Sequence, residues 1–291
     1  MSICENRTVI ITGAGGGLGR AYALSFAQEG AAVVVNDIRL EAAQQVVDEI
    51  REAGGHALAN ADDITSMAGA QRIVDAALAA FGEVHVLVNN AGILRDRMFL
   101  SLSEEDWDQV MRVHLRGHFC LASVLGRRWR DASKRGEAVD ARIINTSSGA
   151  GLQGSIGQSN YVAAKGGIAA LTLVQAAELS RYGVTVNCLA PAARTSMTEN
   201  AMPEMVKKPE TGFDVWDPLN VAALVVWLGS PLSRHVSGRC FEAKGGEVSV
   251  ADGWRTGRIV DKGARWMPAE LTSVIDELIA GSVAPQKVYG T

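Results

Sequence analysis

TVIITGAGGGLG, residues 8–19, joins a short apolar run to a turn built almost entirely of glycine. The run is typical of a buried strand and the spacing after the glycines is typical of a helix, so strand, turn and helix are predicted in succession. Glycine at such a turn lets the backbone approach a pyrophosphate, and the helix N-terminus offers free N–H groups. A turn that only packs the helix on the strand is the alternative. The context favours a dinucleotide site formed by Gly13, Gly15, Gly17, Leu18 and Gly19.

The alternation of short apolar runs and longer helical patterns continues through the first 190 residues. Nearly continuous apolar strands separated by helices are typical of a parallel sheet covered on both faces. We therefore expect a single Rossmann-type α/β domain with three layers, not two domains in tandem. The predicted strands are 8–12, 32–36, 56–61, 84–88, 142–146, 184–189 and about 239–243. The predicted helices are 40–53, 68–81, 104–129, 161–181, 220–228 and 267–280.

The composition narrows the class of protein. With 47% hydrophobic and 21% charged residues among 291, the chain is not of the disordered type. A formal net charge of −4 argues against nucleic acid as a partner, because such surfaces need clustered Lys and Arg. The absence of a long apolar run and of a signal-peptide pattern predicts no membrane span and a cytoplasmic protein. Cysteines and histidines lack ligand spacing, so we expect reduced thiols and no metal.

A carboxylate follows the second predicted strand. Asp37 lies about 20 residues past the glycine turn, where a carboxylate accepts hydrogen bonds from the adenosine ribose and repels a 2′-phosphate. This position predicts NAD rather than NADP. Arg39 is the competing signal, because a guanidinium can bind that phosphate. An Asp37 that only caps the next helix is the other alternative.

Polar residues also follow the third and fourth predicted strands, as Asp63-Ile64 and Asn90-Ala91-Gly92. Because the carboxyl ends of parallel strands line the ligand crevice of such a fold, these residues are candidates for cofactor contacts. Asp, Asn and Gly are equally common in ordinary turns, so neither segment decides the function alone.

Tyr161 and Lys165 lie on one face of a predicted helix, since residues four apart are neighbours there. An ammonium beside a phenol favours the phenolate, so we expect Lys165 to lower the pKa of Tyr161 from about 10 and to make Tyr161 a proton carrier. Ser148 follows the fifth predicted strand, where its hydroxyl can hold the substrate oxygen in line with Tyr161. A chance surface pair is the alternative, and the glycine turn together with Ser148 argues against it.

These motifs together resemble the short-chain dehydrogenase/reductase family over about residues 5–246. The resemblance implies a seven-stranded sheet, Tyr161 as catalytic acid/base, Lys165 as its pKa modulator and nicotinamide-ribose ligand, and Ser148 as the group that polarises the substrate oxygen. It also implies contacts with the bound cofactor. Asp63 and Ile64 would flank the adenine, and Asn90, Ala91 and Gly92 would line the crevice. The candidates on the nicotinamide side are Pro191, Thr195 and Ser196, with Thr198 also possible by position.

Further motifs are similar to the 3-hydroxyacyl-CoA dehydrogenase domains of peroxisomal multifunctional enzymes and their single-domain bacterial relatives. They include VND at residues 35–37, VHLRG at 113–117 and GQSNY at 157–161. The resemblance implies oxidation of a 3-hydroxyacyl thioester, or of a bulky alcohol such as a steroid, with NAD. Two alternative functions remain: a 3-oxoacyl carrier-protein reductase that uses NADPH, and a non-catalytic dinucleotide sensor. His114 stands where most of the family has Asn, and either takes over its proton-relay role or is bonded to the backbone.

Two segments depart from the alternation. Residues 192–217 contain two prolines and little periodicity, and we expect a substrate loop there. Residues 247–291 extend past the expected domain, residues 1–246, and are predicted to pack on it. Trp254, Trp266 and Met267 there could cover a large substrate or lie at a subunit interface. The resemblance implies a homodimer or homotetramer.

Overall fold

The chain folds around one mixed sheet of eight strands with helices on both faces. A computed structural model describes residues 2–201 and 203–291. The strands are β1 (Thr8–Thr12), β2 (Ala32–Asn36), β3 (His56–Asn60), β4 (Val86–Asn89), β5 (Ala141–Thr146), β6 (Val184–Ala192), β7 (Cys240–Lys244) and β8 (Glu247–Ala251). Their order is β3-β2-β1-β4-β5-β6-β7-β8. Since β1 lies between β2 and β4, the order reverses at β1, and ligands of such folds bind beside that point.

The helices follow the strands in the predicted alternation. They are α1 (Gly17–Gln28), α2 (Leu40–Glu52), α3 (Met67–Phe81), α4 (Glu104–Met111), α5 (Gly117–Lys134), α6 (Gly149–Gln153), α7 (Ser159–Leu179), α8 (Ser196–Ala201), α9 (Pro218–Gly229) and α10 (Leu271–Ala280). The predicted helix 104–129 is divided, because a π-helical turn at Arg112–Arg116 separates α4 from α5. The predicted loop 192–217 contains α8, and Met202 of that loop lies outside the described residues.

The sheet holds a buried cluster on each face. Val9 and Ile11 of β1 belong to one cluster, and Ile10 between them belongs to the other. This alternation follows from the period of two in a strand, and all five residues of β1 are buried because helices cover both faces. Because these central strands are parallel, their carboxyl ends lie along the same edge of the buried sheet.

The prediction of seven strands was one short. Glu247–Ala251 forms β8, which runs antiparallel to β7 and extends the sheet into the C-terminal region. Its Val248 and Val250 are exposed to 59% and 51%. They alternate with Glu247 and Ser249, and this period-two pattern could have been recognised in the sequence.

One helix among the described residues, α7 with the 3-10 turn up to Tyr182, is long and apolar enough to cross a membrane. It packs along β6 and carries Tyr161 and Lys165. Core helices of globular proteins pass the same length and composition test, so this feature does not indicate a membrane protein.

Candidate active site

A cavity of about 1080 Å³ lies at the carboxyl ends of β1, β2, β4, β5 and β6. It brings together most of the predicted site residues from distant parts of the chain. Those that line it are Gly13, Gly17, Leu18, Gly19, Asp37, Asn90, Ala91, Gly92, His114, Ser148, Tyr161, Lys165, Pro191, Thr195 and Ser196.

The glycine turn forms one wall of this cavity and is packed too closely for larger residues. A Cβ at Gly19 would lie 2.2 Å from the carbonyl oxygen of Gly13, and a Cβ at Gly13 would lie 2.8 Å from Cα of Ala91. A Cβ at Gly16 would have no other atom within 4 Å, so the backbone of Gly16 faces open space. Asn90 holds the turn by donating from Nδ2 to the carbonyl oxygens of Thr12 and Gly13 at 2.9 and 3.2 Å. An exposed backbone at the N-terminus of α1 fits a pyrophosphate.

Asp37 lies beside this turn and is held by backbone N–H groups. Its Oδ2 accepts from Gly15 N at 3.1 Å, and its Oδ1 accepts from Arg39 N at 3.0 Å. The Arg39 guanidinium also lies 3.4 Å from Oδ1 and is 69% exposed. The carboxylate is therefore fixed at the cavity wall, while Arg39 can move in solvent. This arrangement fits an adenosine ribose, whose hydroxyls would donate to the carboxylate.

Ser148, Tyr161 and Lys165 are positioned by β5 and the two helices after it. Ser148 is the N-cap of α6, and its Oγ accepts from Ala150 N at 3.2 Å. Lys165 is buried, and its Nζ donates to the carbonyl oxygen of Thr146 at 2.6 Å and lies 5.6 Å from the centre of the Tyr161 ring. The end of β5 thus fixes the ammonium beneath the phenol.

The first turn of α7 is anchored by Asn160, which is fully buried. Its Nδ2 donates to the carbonyl oxygens of Arg95 and Asp106 at 3.0 and 3.2 Å, and its Oδ1 accepts from Tyr161 N at 2.8 Å. Asn160 therefore ties α7 to α4 and to the segment after β4. These bonds leave the backbone of Tyr161 little freedom.

Burial governs the protonation of both groups. It raises the pKa of Tyr161 above its ordinary value of 10.0, a hydrogen bond with Ser148 acts in the opposite direction, and Asp96 adds to the rise. Burial also lowers the pKa of Lys165 from 10.5 to about 7. The prediction that Lys165 lowers the pKa of Tyr161 was wrong, because burial raises it. Lys165 is buried and Tyr161 is half-buried, and the cost of removing a charge from solvent is the largest effect on each.

The lowered pKa of Lys165 predicts a pH-dependent stability. Below about pH 7 the lysine is charged both folded and unfolded, and the folded state bears the full cost of a buried charge. That cost falls as the pH rises from about 7 to 10.5, so wild-type stability rises there by at most about 1.4 kcal/mol per pH unit. Lys165→Met removes the charge, so its stability relative to wild type should be greater at about pH 6 than at about pH 9.

Urea unfolding at the two pH values measures this difference. Lys134→Met, at an exposed lysine at the end of α5, is the matched control and should show no change in relative stability between them. An equal effect of Lys165→Met at both pH values would show that its pKa is ordinary in the folded protein.

His114 lies in the π-helical turn and shows one of the two alternatives left open for it, the bond to the backbone, while the proton-relay role stays a prediction. Its Nε2 lies 3.0 Å from Ile93 N and 2.8 Å from Ile93 O, so the ring is bonded to backbone. Its Nδ1 is buried with no partner, and the ring meets that of Tyr161 edge-on at 5.3 Å. Burial lowers the pKa of His114 to about 3, so the imidazole is neutral. Single π turns are frequent at functional sites.

Three predicted cofactor residues do not line the cavity. Gly15 faces Asp37 instead. Asp63 accepts from Thr65 N at 2.8 Å and pairs with Arg112, and Ile64 packs where a Cβ of Gly117 would lie. The proposed adenine contacts of Asp63 and Ile64 stay predictions, as does the place of Gly15 in the pyrophosphate turn.

The residues suggested as a cover for the substrate are also elsewhere. Trp254 and Met267 are exposed, at 104% and 62%, and Trp266 packs beneath Lys262. The cavity is lined instead by apolar residues that the sequence reasoning did not select: Leu94, Ile156, Met205, Trp216 and Tyr289. These residues belong to no sequence motif, so their position around the cavity is visible only in the folded structure.

Comparison with known proteins agrees with this geometry. The family model for short chain dehydrogenases matches residues 7–206. The hydroxyacyl-CoA dehydrogenase ChsB1 of Mycobacterium tuberculosis is 42% identical, over 99% of this chain and 93% of its own length. The mouse peroxisomal multifunctional enzyme type 2 is 44% identical over 86% of this chain, which spans 32% of the mouse protein. A crystal structure of a short chain dehydrogenase from Mycobacterium avium is 52% identical, covers 99% of this chain and superposes with a TM-score of 0.91.

The chain therefore belongs to the short-chain dehydrogenase/reductase family. It is an oxidoreductase that acts on the CH–OH group of a small molecule with a nicotinamide cofactor. The predicted fold class is confirmed, with one additional strand.

Proposed function

We propose that the protein oxidises a 3-hydroxyacyl thioester with NAD. The observation that carries the substrate proposal is the apolar wall of the cavity, which includes Leu94, Ile156, Met205 and Trp216 and lies in the same cavity as Ser148 and Tyr161. An acyl group needs such a wall, whereas a small alcohol does not. The hydroxyacyl-CoA dehydrogenase of M. tuberculosis, which matches nearly end to end, supports the same substrate class. A bulky alcohol such as a steroid is the second candidate for this apolar wall.

The cofactor would be held by the glycine turn at its pyrophosphate, by Asp37 at the adenosine ribose and by Lys165 at the nicotinamide ribose. When bound, the nicotinamide supplies the acceptor for the hydride that leaves the carbinol carbon. The contribution of the protein is position and electrostatics.

Tyr161 takes the proton of the substrate hydroxyl during oxidation and returns it during reduction. Because burial raises its pKa, the phenol is the resting form, and oxidation becomes faster as the pH rises. Ser148 donates a hydrogen bond from its hydroxyl to the substrate oxygen as the carbonyl forms, because its Oγ accepts from Ala150 N and its O–H proton stays available. Lys165 holds the end of β5 against α7 and orients Tyr161 from below.

NAD is the proposed cofactor because the Asp37 carboxylate would repel a 2′-phosphate. Replacement of Asp37 by Ala should reduce the preference for NAD over NADP by about tenfold or more, since like charges in contact cost several kcal/mol. The ratio of kcat/KM for the two cofactors measures the change. Asp37→Asn keeps an acceptor for Gly15 N and should lose the preference as well, which separates charge from support of the turn. A wild-type preference for NADPH would contradict the assignment.

The test of the function is NADH formation from a series of 3-hydroxyacyl-CoA thioesters, steroid alcohols and short secondary alcohols. We expect the thioesters to give the highest kcat/KM. Turnover of 3-oxoacyl carrier protein with NADPH in preference to these would identify the reductase instead. A bound dinucleotide without turnover of any compound would overturn the proposal.

We also propose a cytoplasmic homodimer or homotetramer. Phe119 of α5 and Leu173 and Val174 of α7 are exposed to between 50% and 59%, which supports pairing of these helices between subunits. Light scattering of the purified protein measures its molar mass in solution, and a monomer alone would contradict the proposed oligomer.

A further inference from the structure

The residues at the end of the sequence return to the active site and form a short strap, defined here as Val288–Gly290. Tyr289 forms a parallel bridge with Ser155. Its N–H donates to the carbonyl oxygen of Gly154 at 3.1 Å, and its own carbonyl accepts from Ile156 N at 3.0 Å. The strap is thus fixed by backbone bonds on both sides of one residue.

The surface beneath the strap is the segment that joins Ser148 to Tyr161. A Cβ at Gly149 would lie 2.8 Å from the Tyr289 hydroxyl, and a Cβ at Gly154 would lie 3.3 Å from the Val288 side chain. Both positions lack a side chain, which leaves room for the strap to approach. The strap therefore rests directly on the α6 region that positions Ser148.

The strap also forms part of the cavity wall. Tyr289 and Gly290 line the same cavity as the glycine turn and Tyr161. Tyr289 is 49% exposed although its backbone is hydrogen-bonded on both sides, so it has surface left to contact a ligand. Burial and the nearby Glu242 raise the pKa of Tyr289, so its hydroxyl stays protonated. The apolar residues on the remainder of this wall include Leu94, Ile156, Met205 and Trp216.

We propose that Tyr289 is a specificity-determining residue that contacts the acyl chain of the substrate and favours long chains over short ones. This inference rests on the proposed 3-hydroxyacyl thioester substrate. A ring held over the cavity covers apolar substrate surface that a short acyl group does not reach, so its contribution grows with the size of the acyl group. The reacting hydroxyl meets Ser148 and Tyr161 alike in both cases.

The experiment compares a short and a long 3-hydroxyacyl-CoA as substrates of Tyr289→Ala. We expect KM for the long thioester to rise about tenfold, KM for the short one to change less than about twofold, and kcat to stay near wild type for both. Tyr289→Phe keeps the ring and should behave like wild type. Trp254→Ala removes a fully exposed aromatic residue of the same region and is the matched control.

Equal losses of kcat/KM on both thioesters, or no loss at all, would overturn the proposal, because a merely structural role acts on every substrate. A lower KM for the long thioester would also overturn it, since Tyr289 would then limit chain length.

Calorimetric binding of short and long saturated acyl-CoA thioesters to the enzyme with NADH separates this proposal from the proposed function. If wild type binds the long thioester but forms no NADH from any hydroxyacyl-CoA, the proposed function fails. The same expected loss of affinity in Tyr289→Ala still supports the role of Tyr289. If wild type binds neither thioester, the role of Tyr289 is refuted as well.

Discussion

Tyr161→Phe should lower kcat by at least about 100-fold, the lower end for removal of a general acid–base group. The change removes one oxygen from a half-buried side chain and keeps the ring that meets His114. The anchor at Asn160 holds the backbone of residue 161 and does not involve the phenol. The loss should therefore fall on turnover and leave the fold intact. Steady-state NADH formation from a hydroxyacyl thioester is the measurement.

Cofactor affinity provides the control for this variant. NADH binding, followed by its fluorescence, should stay close to that of wild type, because the glycine turn and Asp37 are unchanged. In wild type the rate of oxidation should rise with pH, since burial raises the pKa of the phenol, and the variant should lose this dependence. A variant with wild-type turnover would refute the role of Tyr161.

Ser148→Ala should lower kcat by about 10²–10³, as for removal of one donor to a developing oxyanion. The hydroxyl lies at the N-terminus of α6 and interacts with the phenol, so its loss leaves the substrate oxygen without its second partner. Ser148 also caps α6 through Ala150 N, and the variant should lose about 1 kcal/mol of stability as a cap substitution.

Ser66→Ala distinguishes the two effects of that change. Ser66 caps α3 and accepts from Gly69 N at 3.0 Å, and it does not line the cavity. Its loss should cost comparable stability and leave kcat unchanged. Retained turnover in Ser148→Ala, or a loss in Ser66→Ala of the same size, would contradict the assignment of Ser148.

The central strands β1, β4 and β5 could be predicted because they are buried on both faces and are separated in sequence by helical patterns. Thr8–Thr12 and Ala32–Asn36 were predicted with their observed bounds. Residues in turns of unusual geometry were harder to predict. The π-helical turn at Arg112–Arg116 keeps a helical pattern of apolar residues, so the sequence signal does not reveal the break between α4 and α5.

The candidate site divides in the same way. Ser148, Tyr161 and Lys165 form a spaced pattern whose chemistry is visible in the residue types. Their electrostatics depended on burial, which the pattern does not contain, so the direction of the Tyr161 pKa was predicted wrongly. Tyr289 carries no motif, and its distance along the chain from Ser148 conceals that they are neighbours.

The π-helical turn joins α4 directly to α5, and the two helices direct different faces at the rest of the protein. An extra residue in a helical turn rotates everything beyond it by about 100° relative to an unbroken α-helix. Before the turn, the carbonyl of Asp106 is directed at Asn160 of α7, and after it, Leu121 and Leu125 are buried against the sheet. Removal of one residue from Arg112–Arg116 would restore an unbroken α-helix. Either α4 would then lose its contact with Asn160, or α5 would lose its contact with the sheet.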